Sequence, residues 1–216
     1  MTAEQQVAVV TGGDAGIGLE VCRRLAESGV QVVLTSRDEA DGAVAVSALD
    51  GQGHSVLYVQ LDPDDQRSIE RAVGFVQAAL GRADILVNAY ATAPIDEAID
   101  PLAADATRAL NTGHRFVDVM RRGGYGRIVT LAADAALPAG AGARADRHVA
   151  AAGALAASRT LAAGDSDGAD IKVNAVCLRP GKRYQERDTE TVLQLALLPP
   201  EGPSGAVYRD GKSLST

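Results

Sequence analysis

The sequence predicts a single α/β domain with a doubly wound parallel sheet of about seven strands and helices on both of its faces. Apolar runs of strand length alternate with amphipathic runs of helix length almost to the end of the chain. The strand runs are nearly continuous in apolar residues, which is typical of parallel strands that are covered on both faces. The first of them leads through a glycine-rich turn into a helix. In folds of this kind, ligands bind above the carboxyl ends of the strands.

The predicted elements follow one another in a regular order along the 216 residues. Strands are predicted near Val7–Thr11, Val30–Thr35, Val56–Leu61, Ile85–Asn88, Arg127–Leu131, Ile171–Val176 and Ala206–Tyr208. Helices are predicted near Gly16–Ser28, Glu39–Leu49, Asp64–Leu80, Ala103–Arg122, Arg147–Ala163 and Thr189–Leu198. Because the composition changes abruptly nowhere and the length suits one hydrophobic core, residues 1–216 are expected to form one domain.

The composition and the net charge indicate which kinds of partner the protein is expected to bind. The chain is 46% apolar and 23% charged, as soluble globular proteins are, and its net charge is −7. An acidic chain of this kind is not expected to bind nucleic acid or an anionic membrane. The first residues lack the features of a signal peptide, so a cytoplasmic protein is expected. Cys22 and Cys177 are interpreted as buried thiols, and no compact cluster of His, Cys and carboxylates has metal-ligand spacing, so no metal is expected.

A glycine-rich segment joins the first strand to the first helix. It reads Thr11-Gly12-Gly13-Asp14-Ala15-Gly16-Ile17-Gly18. A helix N-terminus that no side chain obstructs exposes unpaired backbone N–H groups, which suit a diphosphate. The segment therefore predicts a nucleotide site, and the alternative is a purely structural turn.

The same segment resembles the Thr-Gly-x-x-x-Gly-Ile-Gly motif of the short-chain dehydrogenase/reductase family. The resemblance extends over essentially the whole chain, and residues 197–210 are similar to the carbonyl-reductase branch. It implies a Rossmann-like fold that binds a nicotinamide dinucleotide. The cofactor-binding residues that it implies are Thr11, Gly12, Gly16, Ile17, Gly18, Arg37, Asp62, Asn88, Pro180 and Gly181.

Some of these positions have a second interpretation or depart from the family's pattern. Asp62 corresponds to the family's aspartate beside the adenine ring, but an ordinary helix cap also explains it. Ala89 and Tyr90 replace the residues that the family carries after Asn88. Two residues are inserted ahead of Pro180-Gly181, which resembles the segment on the nicotinamide side.

Arg37 follows the second strand, where the family carries an acidic residue to favour NAD or a basic residue to favour NADP. A guanidinium gives a phosphate paired hydrogen bonds, and no acidic residue directly precedes Arg37. The resemblance therefore implies NADP. The alternative is that Arg37 is a solvated surface charge.

The family's catalytic residues are a Ser, a Tyr, a Lys four residues after the Tyr, and a supporting Asn. Asn111 corresponds to the supporting Asn, whereas the Ser position holds Ala133 or Asp134. The Tyr position holds Arg147 and the Lys position holds Ala151.

This loss does not depend on the details of the alignment. The chain has no Tyr between Tyr125 and Tyr184, and no Lys precedes Lys172. A positioned acid of this kind contributes about 10²–10⁴-fold in rate. The usual carbonyl–alcohol mechanism is therefore not expected to operate in its usual form.

Several side chains are candidates to replace the missing groups. Asp134 and Asp146 are candidate carboxylate bases, and Asp146 is otherwise a helix cap. His148 titrates near neutrality, although a surface or packing role also explains it. Arg147 keeps its charge and suits an anion clamp. Tyr184, beyond Pro180-Gly181, is a further candidate from the opposite wall, or else part of a solvated loop.

Three functions remain open on these observations. One is an NADP(H)-dependent reductase that acts on a bulky or conjugated small molecule without the phenol acid. The second is a non-redox enzyme such as a cyclase, dehydratase or isomerase, and the third is a catalytically inert subunit. The Ala-rich helix 147–163 is expected to form a homo-oligomer, unless it packs only on its own sheet. A shortened substrate lid is expected near residues 180–190.

Overall fold

The computed structural model describes residues 5–89, 101–133, 156, 160–161, 168–178 and 184–214. These residues form a sheet of eight strands in the order β3-β2-β1-β4-β5-β6-β7-β8. The strands are β1 (Val7–Thr11), β2 (Gln31–Ser36), β3 (Leu57–Gln60), β4 (Ile85–Asn88), β5 (Tyr125–Ala133), β6 (Asp170–Leu178), β7 (Val207–Arg209) and β8 (Lys212–Ser213). The helices are α1 (Gly16–Glu27), α2 (Glu39–Asp50), α3 (Gln66–Leu80), α4 (Pro101–Gly123) and α5 (Glu186–Ala196).

Alternation along the central strands places one hydrophobic cluster on each face of the sheet. Val7 and Val9 of β1 pack with residues of α3 and α4, among them Phe116. Ala8 and Val10 point to the other face and pack with residues of α1, α2 and α5. Side chains point alternately to opposite faces of a strand, so a run of apolar residues fills both clusters. The predicted doubly wound α/β fold is confirmed.

Strand order reverses between β1 and β4, which lie side by side at the centre of the sheet. β1 pairs in parallel with both β2 and β4, and Thr11 lies opposite Asn88 in the register of β1 and β4. A crevice opens above the carboxyl ends of the strands at such a reversal. The glycine-rich segment leaves β1 at this point.

The structure differs from the predicted elements at the edge of the sheet and at the ends of several helices and strands. The antiparallel β8 is added at the sheet edge beyond β7. α3 begins at Gln66 rather than Asp64, because the Asp65 side chain accepts a hydrogen bond from the Arg67 N–H and caps the helix. In the predicted helix 147–163, Ala156, Thr160 and Leu161 are helical, and the rest lies outside the described residues.

Other predictions concern membranes, metals and thiols. Among the residues that the structure describes, no helix is long and apolar enough to span a bilayer, and no group of His, Cys and carboxylates can hold a metal. Both cysteines are buried free thiols, as predicted. Burial, and then the nearby Asp14 carboxylate, raise the pKa of the Cys22 thiol far above its usual value. Cys22 is therefore a packing residue of α1.

Candidate functional site

The glycine-rich segment turns tightly between β1 and α1. Gly12 and Gly16 have φ angles of 62° and 56°, in the left-handed region that favours glycine. Gly18 lies against the turn itself, and a Cβ there would stand 2.0 Å from the Gly12 carbonyl oxygen. Only a glycine at Gly18 lets the helix begin this close to the loop.

The beginning of α1 is open to an anion. Ala15 is the N-cap, and no side chain of the described residues caps the helix. Ile17 is fully buried and anchors the first turn in the core, so the free N–H groups stay in place. Because the first turn carries no acidic residue, the helix dipole is left to attract a negative group. These features fit a diphosphate.

A buried polar cluster lies beside this turn, across the carboxyl ends of β1, β4 and β5. Thr11 Oγ1 donates to the Val87 carbonyl oxygen at 3.2 Å and accepts from the Ala89 N–H at 3.2 Å. The Asn88 amide contacts two threonine hydroxyls. Asn88 Oδ1 lies 2.9 Å from Thr112 Oγ1 of α4, and Asn88 Nδ2 lies 3.5 Å from Thr130 Oγ1 of β5. Thr11 and Asn88 therefore fix the backbone of the crevice.

Arg37 lies directly after β2, at the same edge of the sheet. Its side chain is exposed and makes no ion pair with any described residue. The Gln60 side chain donates to the Arg37 carbonyl oxygen at 2.9 Å, which holds the backbone between β2 and β3. Asp38, the next residue, turns its carboxylate to the Ala40 and Asp41 N–H groups and caps α2. The Arg37 guanidinium is thus left available to a ligand.

Asp62 follows β3 and organises a turn rather than capping a helix. Its Oδ1 accepts from the Asp64 N–H at 3.0 Å, and its own N–H donates to Ser68 Oγ at 3.0 Å. Because Asp65 caps α3, the helix-cap interpretation of Asp62 is wrong. Leu61, the residue before Asp62, donates its N–H to the Ser36 carbonyl oxygen at 2.9 Å, so Asp62 follows β3 next to the end of β2, and its place beside an adenine ring stays a prediction.

Asn111 lies outside the buried polar cluster. It lies on the exposed face of α4 and lines a groove of about 490 Å³ between α3 and α4 with His114 and Asp118. Thr112, the next residue, points to Asn88 instead. One residue along a helix rotates the side chain by about 100°, so Asn111 and Thr112 point in different directions, and the supporting role of Asn111 stays a prediction.

The remaining catalytic candidates are not assembled in the described part of the chain. Tyr184 is 40% exposed and lies close enough to Arg23 of α1 to interact electrostatically with it. Asp134, Asp146, Arg147 and His148 lie outside the described residues, as do Pro180 and Gly181. Their roles therefore stay predictions.

No described tyrosine or lysine stands at the carboxyl ends of β4 and β5. Tyr125 begins β5 at the opposite edge, where its ring lies 4.2 Å from the Arg127 guanidinium. Lys172, near the start of β6, pairs with Asp170 at 3.4 Å. The Tyr58 hydroxyl lies 3.1 Å from Ser36 Oγ, beside β2.

Sequence reasoning missed Thr112, Thr130 and Arg108. The Arg108 guanidinium of α4 donates hydrogen bonds to the Asp64 carboxylate at 2.8 to 3.1 Å. Thr130 interrupts the apolar run of β5 and lies in register with Asn88, so the predicted strand order places it there. Thr112 and Arg108 gave no such signal, because their partners lie 24 and 44 residues away.

Comparison with known proteins gives short, strong similarities. The chain is 46% identical over 91 residues to (+)-neomenthol dehydrogenase of Capsicum annuum, an alignment that covers 40% of this chain and 29% of that protein. It is 44% identical over 92 residues to carbonyl reductase [NADPH] 1 of Bos taurus, covering 41% and 32%. Salutaridine reductase of Papaver bracteatum is 44% identical over 87 residues, covering 39% and 28%. These alignments span under a third of each relative's length.

Solved structures and a family model cover much more of the chain. A short chain dehydrogenase from Mycobacterium smegmatis superposes with a TM-score of 0.79 at 21% identity, covering 99% of this chain and 94% of that one. Menthone neomenthol reductase from Mentha piperita gives a TM-score of 0.72 at 22% identity, covering 97% and 100%. These two similarities concern the fold alone. The family model for short chain dehydrogenases matches residues 6–182, and the chain therefore belongs to the short-chain dehydrogenase/reductase family.

Proposed function

We propose that the protein is an NADP(H)-dependent reductase that acts on a conjugated or otherwise activated small molecule without the family's phenol acid. The observation that carries the proposal is the uncapped start of α1 after a tight glycine turn, which is hydrogen-bonded to the end of β2, where the Arg37 guanidinium makes no ion pair with any described residue. The first feature suits a diphosphate and the second a ribose 2′-phosphate. Family membership implies the nicotinamide dinucleotide that carries both groups.

The reductive direction is supported by relatives. Carbonyl reductase [NADPH] 1 and (−)-isopiperitenone reductase align with this chain at 44% and 40% identity. Because only about two fifths of this chain is aligned in each case, the activity is argued from the site as well. The family as a whole does not decide the chemistry of one member.

The substrate class follows from what the chain lacks. A bound reduced nicotinamide would supply a hydride, whereas the chain must supply any proton. With no Tyr between Tyr125 and Tyr184 and no Lys before Lys172, a phenol held beside an ammonium group cannot protonate a carbonyl oxygen from the family's positions. Iminium ions, conjugated enones and quinone-like rings accept a hydride with less demand for that proton. Such small molecules are therefore the proposed substrates.

Other groups have supporting roles under this proposal. Arg147, which keeps its charge, is a candidate to hold a developing oxyanion, and Asp134, Asp146 and His148 are candidates to move a proton. A homo-oligomer through helix 147–163 and a short lid near residues 180–190 stay predictions. One described contact agrees with close helix packing, since a Cβ at Gly113 would stand 2.5 Å from the Leu161 side chain.

Replacing Arg37 with Ala is expected to weaken NADPH binding about tenfold, because an exposed charge-assisted pair contributes about 1.4 kcal/mol. NADH binding should hardly change, because NADH has no 2′-phosphate. Fluorescence titration of both nucleotides measures the ratio of their Kd values. Arg122→Ala, a change of an exposed arginine at the end of α4, is the matched control. An unchanged NADPH/NADH ratio in the Arg37 variant would contradict the assignment of NADP.

A second candidate, a non-redox enzyme on this scaffold, is favoured by Asp14. This half-buried carboxylate stands in the glycine-rich segment itself, and its charge reaches Cys22 of α1. A negative charge beside the diphosphate position opposes dinucleotide binding. A family member that no longer carries out redox chemistry would tolerate the loss of dinucleotide binding.

Asp14→Asn separates the two candidates. If the crevice binds NADPH, removing the carboxylate should tighten binding about threefold to tenfold, since one charge at short range through solvent contributes about 1 kcal/mol. Calorimetric titration measures the change, and Asp50→Asn at the end of α2 is the control. Absence of NADPH binding in both the wild type and Asp14→Asn would favour the non-redox enzyme.

A further inference from the structure

We propose that Arg108 of α4 is a specificity-determining residue that keeps Arg37 available for a 2′-phosphate by holding the carboxylate of Asp64. The inference rests on the proposed binding of NADP(H). Arg108 acts through Asp64 and Arg37, so it is a positioning residue and does not itself contact the cofactor.

The pair between Arg108 and Asp64 is bidentate and joins two distant parts of the chain. Arg108 Nε lies 2.9 Å from Oδ1 and 3.1 Å from Oδ2 of Asp64, and the second guanidinium nitrogen lies 2.8 Å from Oδ2. Both carboxylate oxygens are therefore engaged. The Arg108 side chain is 25% exposed and that of Asp64 is 53% exposed, so the pair stands at the rim of the crevice.

Asp64 shares that rim with Arg37. Ser36 and Gln60 are opposite each other in the register of β2 and β3, so the residues that follow these strands emerge side by side. The Arg108 hydrogen bond, followed by the charges of Arg108 and Arg37, lowers the pKa of Asp64 against the opposing effect of burial. Asp64 thus lies within electrostatic range of both arginines, and among the described residues its carboxylate accepts hydrogen bonds from Arg108.

The consequence is a competition for Arg37. A carboxylate released from Arg108 would be free to pair with Arg37, and a 2′-phosphate would then have to displace it while being repelled by its charge. With Asp64 held by Arg108, Arg37 makes no ion pair with any residue that the structure describes.

α4 is held in a position that serves this arrangement. Thr112 Oγ1 lies 2.8 Å from the Arg108 carbonyl oxygen and 2.9 Å from Asn88 Oδ1. The turn that carries Arg108 is therefore tied to the buried polar cluster at the end of β4. The hydrogen bonds from Arg108 to Asp64 are therefore connected to the contacts that shape the crevice.

A double-mutant cycle tests the inference by calorimetric titration of NADPH and NADH at low salt. Arg108→Met should weaken NADPH binding about threefold to fivefold, the range of an exposed ion pair, and leave NADH binding unchanged. Arg108→Met combined with Asp64→Asn should restore NADPH binding, because the competing carboxylate is gone. Asp64→Asn alone should bind NADPH at least as tightly as the wild type.

The matched control is Arg115→Met. Arg115 also extends from α4 to a carboxylate of α3, Glu70, at 2.8 Å. The Arg115→Met change should leave the binding of both NADPH and NADH unchanged. An equal loss of NADPH and NADH binding in Arg108→Met would overturn the inference, as would a double variant that binds NADPH as weakly as Arg108→Met. The Asp64→Asn variant can be measured even if Arg108→Met does not fold. Weaker NADPH binding in Asp64→Asn than in the wild type would also overturn the inference.

Failure of this inference and failure of the proposed cofactor give different results. If Arg37→Ala leaves the NADPH/NADH ratio unchanged, the NADP assignment fails and this inference fails with it. If Arg37→Ala changes the ratio and Arg108→Met does not, only the role of Arg108 is wrong.

Discussion

Replacing Arg127 with methionine is expected to lower the free energy of unfolding by about 3–5 kcal/mol, the usual cost of removing one partner from a buried ion pair. Arg127 is a fully buried arginine in β5. Its guanidinium donates to the carbonyl oxygens of Gly126, Asp170 and Leu198, each at 2.8 Å, and to Asp170 Oδ2 at 2.7 Å. It also stacks on the Tyr125 ring.

The loss would be large because several acceptors depend on one side chain. Arg127 connects β5 to β6 and to the segment after α5, where Leu198 lies. Methionine fills much of the same volume but donates no hydrogen bond, so the carbonyl oxygens would lose this donor and the Asp170 carboxylate would lose its buried partner while keeping its contact with Lys172. Asp170→Asn added to Arg127→Met should recover part of the loss, since it removes a carboxylate charge that has lost its buried partner.

Urea unfolding at neutral pH measures the change, and Arg115→Met is the control because an exposed pair contributes at most about 1 kcal/mol. The effect should also depend on pH. Burial is the largest single influence on the pKa of Asp170 and raises it, but the combined hydrogen bonds and charges of Arg127 and Lys172 lower it below 3.8. The stabilisation is thus present above pH 3.8 and is lost as the pH falls through the lowered value. A loss below 1 kcal/mol at neutral pH would contradict the role of Arg127.

Replacing Gly18 with alanine is expected to weaken dinucleotide binding about 100-fold or more, since misplaced N–H groups lose charge-assisted hydrogen bonds that contribute about 1.5–3 kcal/mol each. The new Cβ would stand 2.0 Å from the Gly12 carbonyl oxygen and 2.9 Å from the Gly12 carbonyl carbon. Both contacts are with backbone, so the glycine-rich segment itself would have to move. The predicted diphosphate site is formed by that backbone.

Gly74→Ala in α3 is the matched control. A Cβ at Gly74 would meet nothing within 4 Å among the described residues, and alanine in a helix interior stabilises by about 0.5–1 kcal/mol relative to glycine. Titration of both variants with NADPH measures binding, and thermal unfolding shows whether each variant is folded. Together they distinguish a loss of binding from a loss of the folded structure. Binding by Gly18→Ala as tight as that of the wild type would show that the segment is not the diphosphate site.

Much of the fold could be predicted because each central strand carries its own local evidence. In β1, Val7 and Val9 fill one cluster while Ala8 and Val10 fill the other, so an apolar run bounded by a glycine turn identifies a strand covered on both faces. β8 was missed, although Asp210-Gly211 between Arg209 and Lys212 is a typical two-residue hairpin turn. Asp210 and Gly211 both have positive φ angles, as that turn requires.

The candidate site could be predicted only where a sequence motif also fixes geometry. The glycines around Gly18 and the position of Arg37 after β2 are local features, and the structure places them at one edge. A motif match does not fix which side of a helix a residue faces: Asn111 is exposed on α4, whereas Thr112 occupies the inward position and contacts Asn88. The ion pair between Arg108 and Asp64 joins residues 44 positions apart, and no local sequence pattern reveals such a contact.

We propose above that this chain transfers a hydride from NADPH to an activated acceptor without a phenol acid. Incubation with NADPH deuterated at the nicotinamide C4 position, followed by mass spectrometry of the products, tests it most directly. We predict deuterium in the reduced product of a conjugated enone and none in the product of the matched saturated ketone. Deuterium in the alcohol formed from the saturated ketone, or in neither product, would contradict the claim.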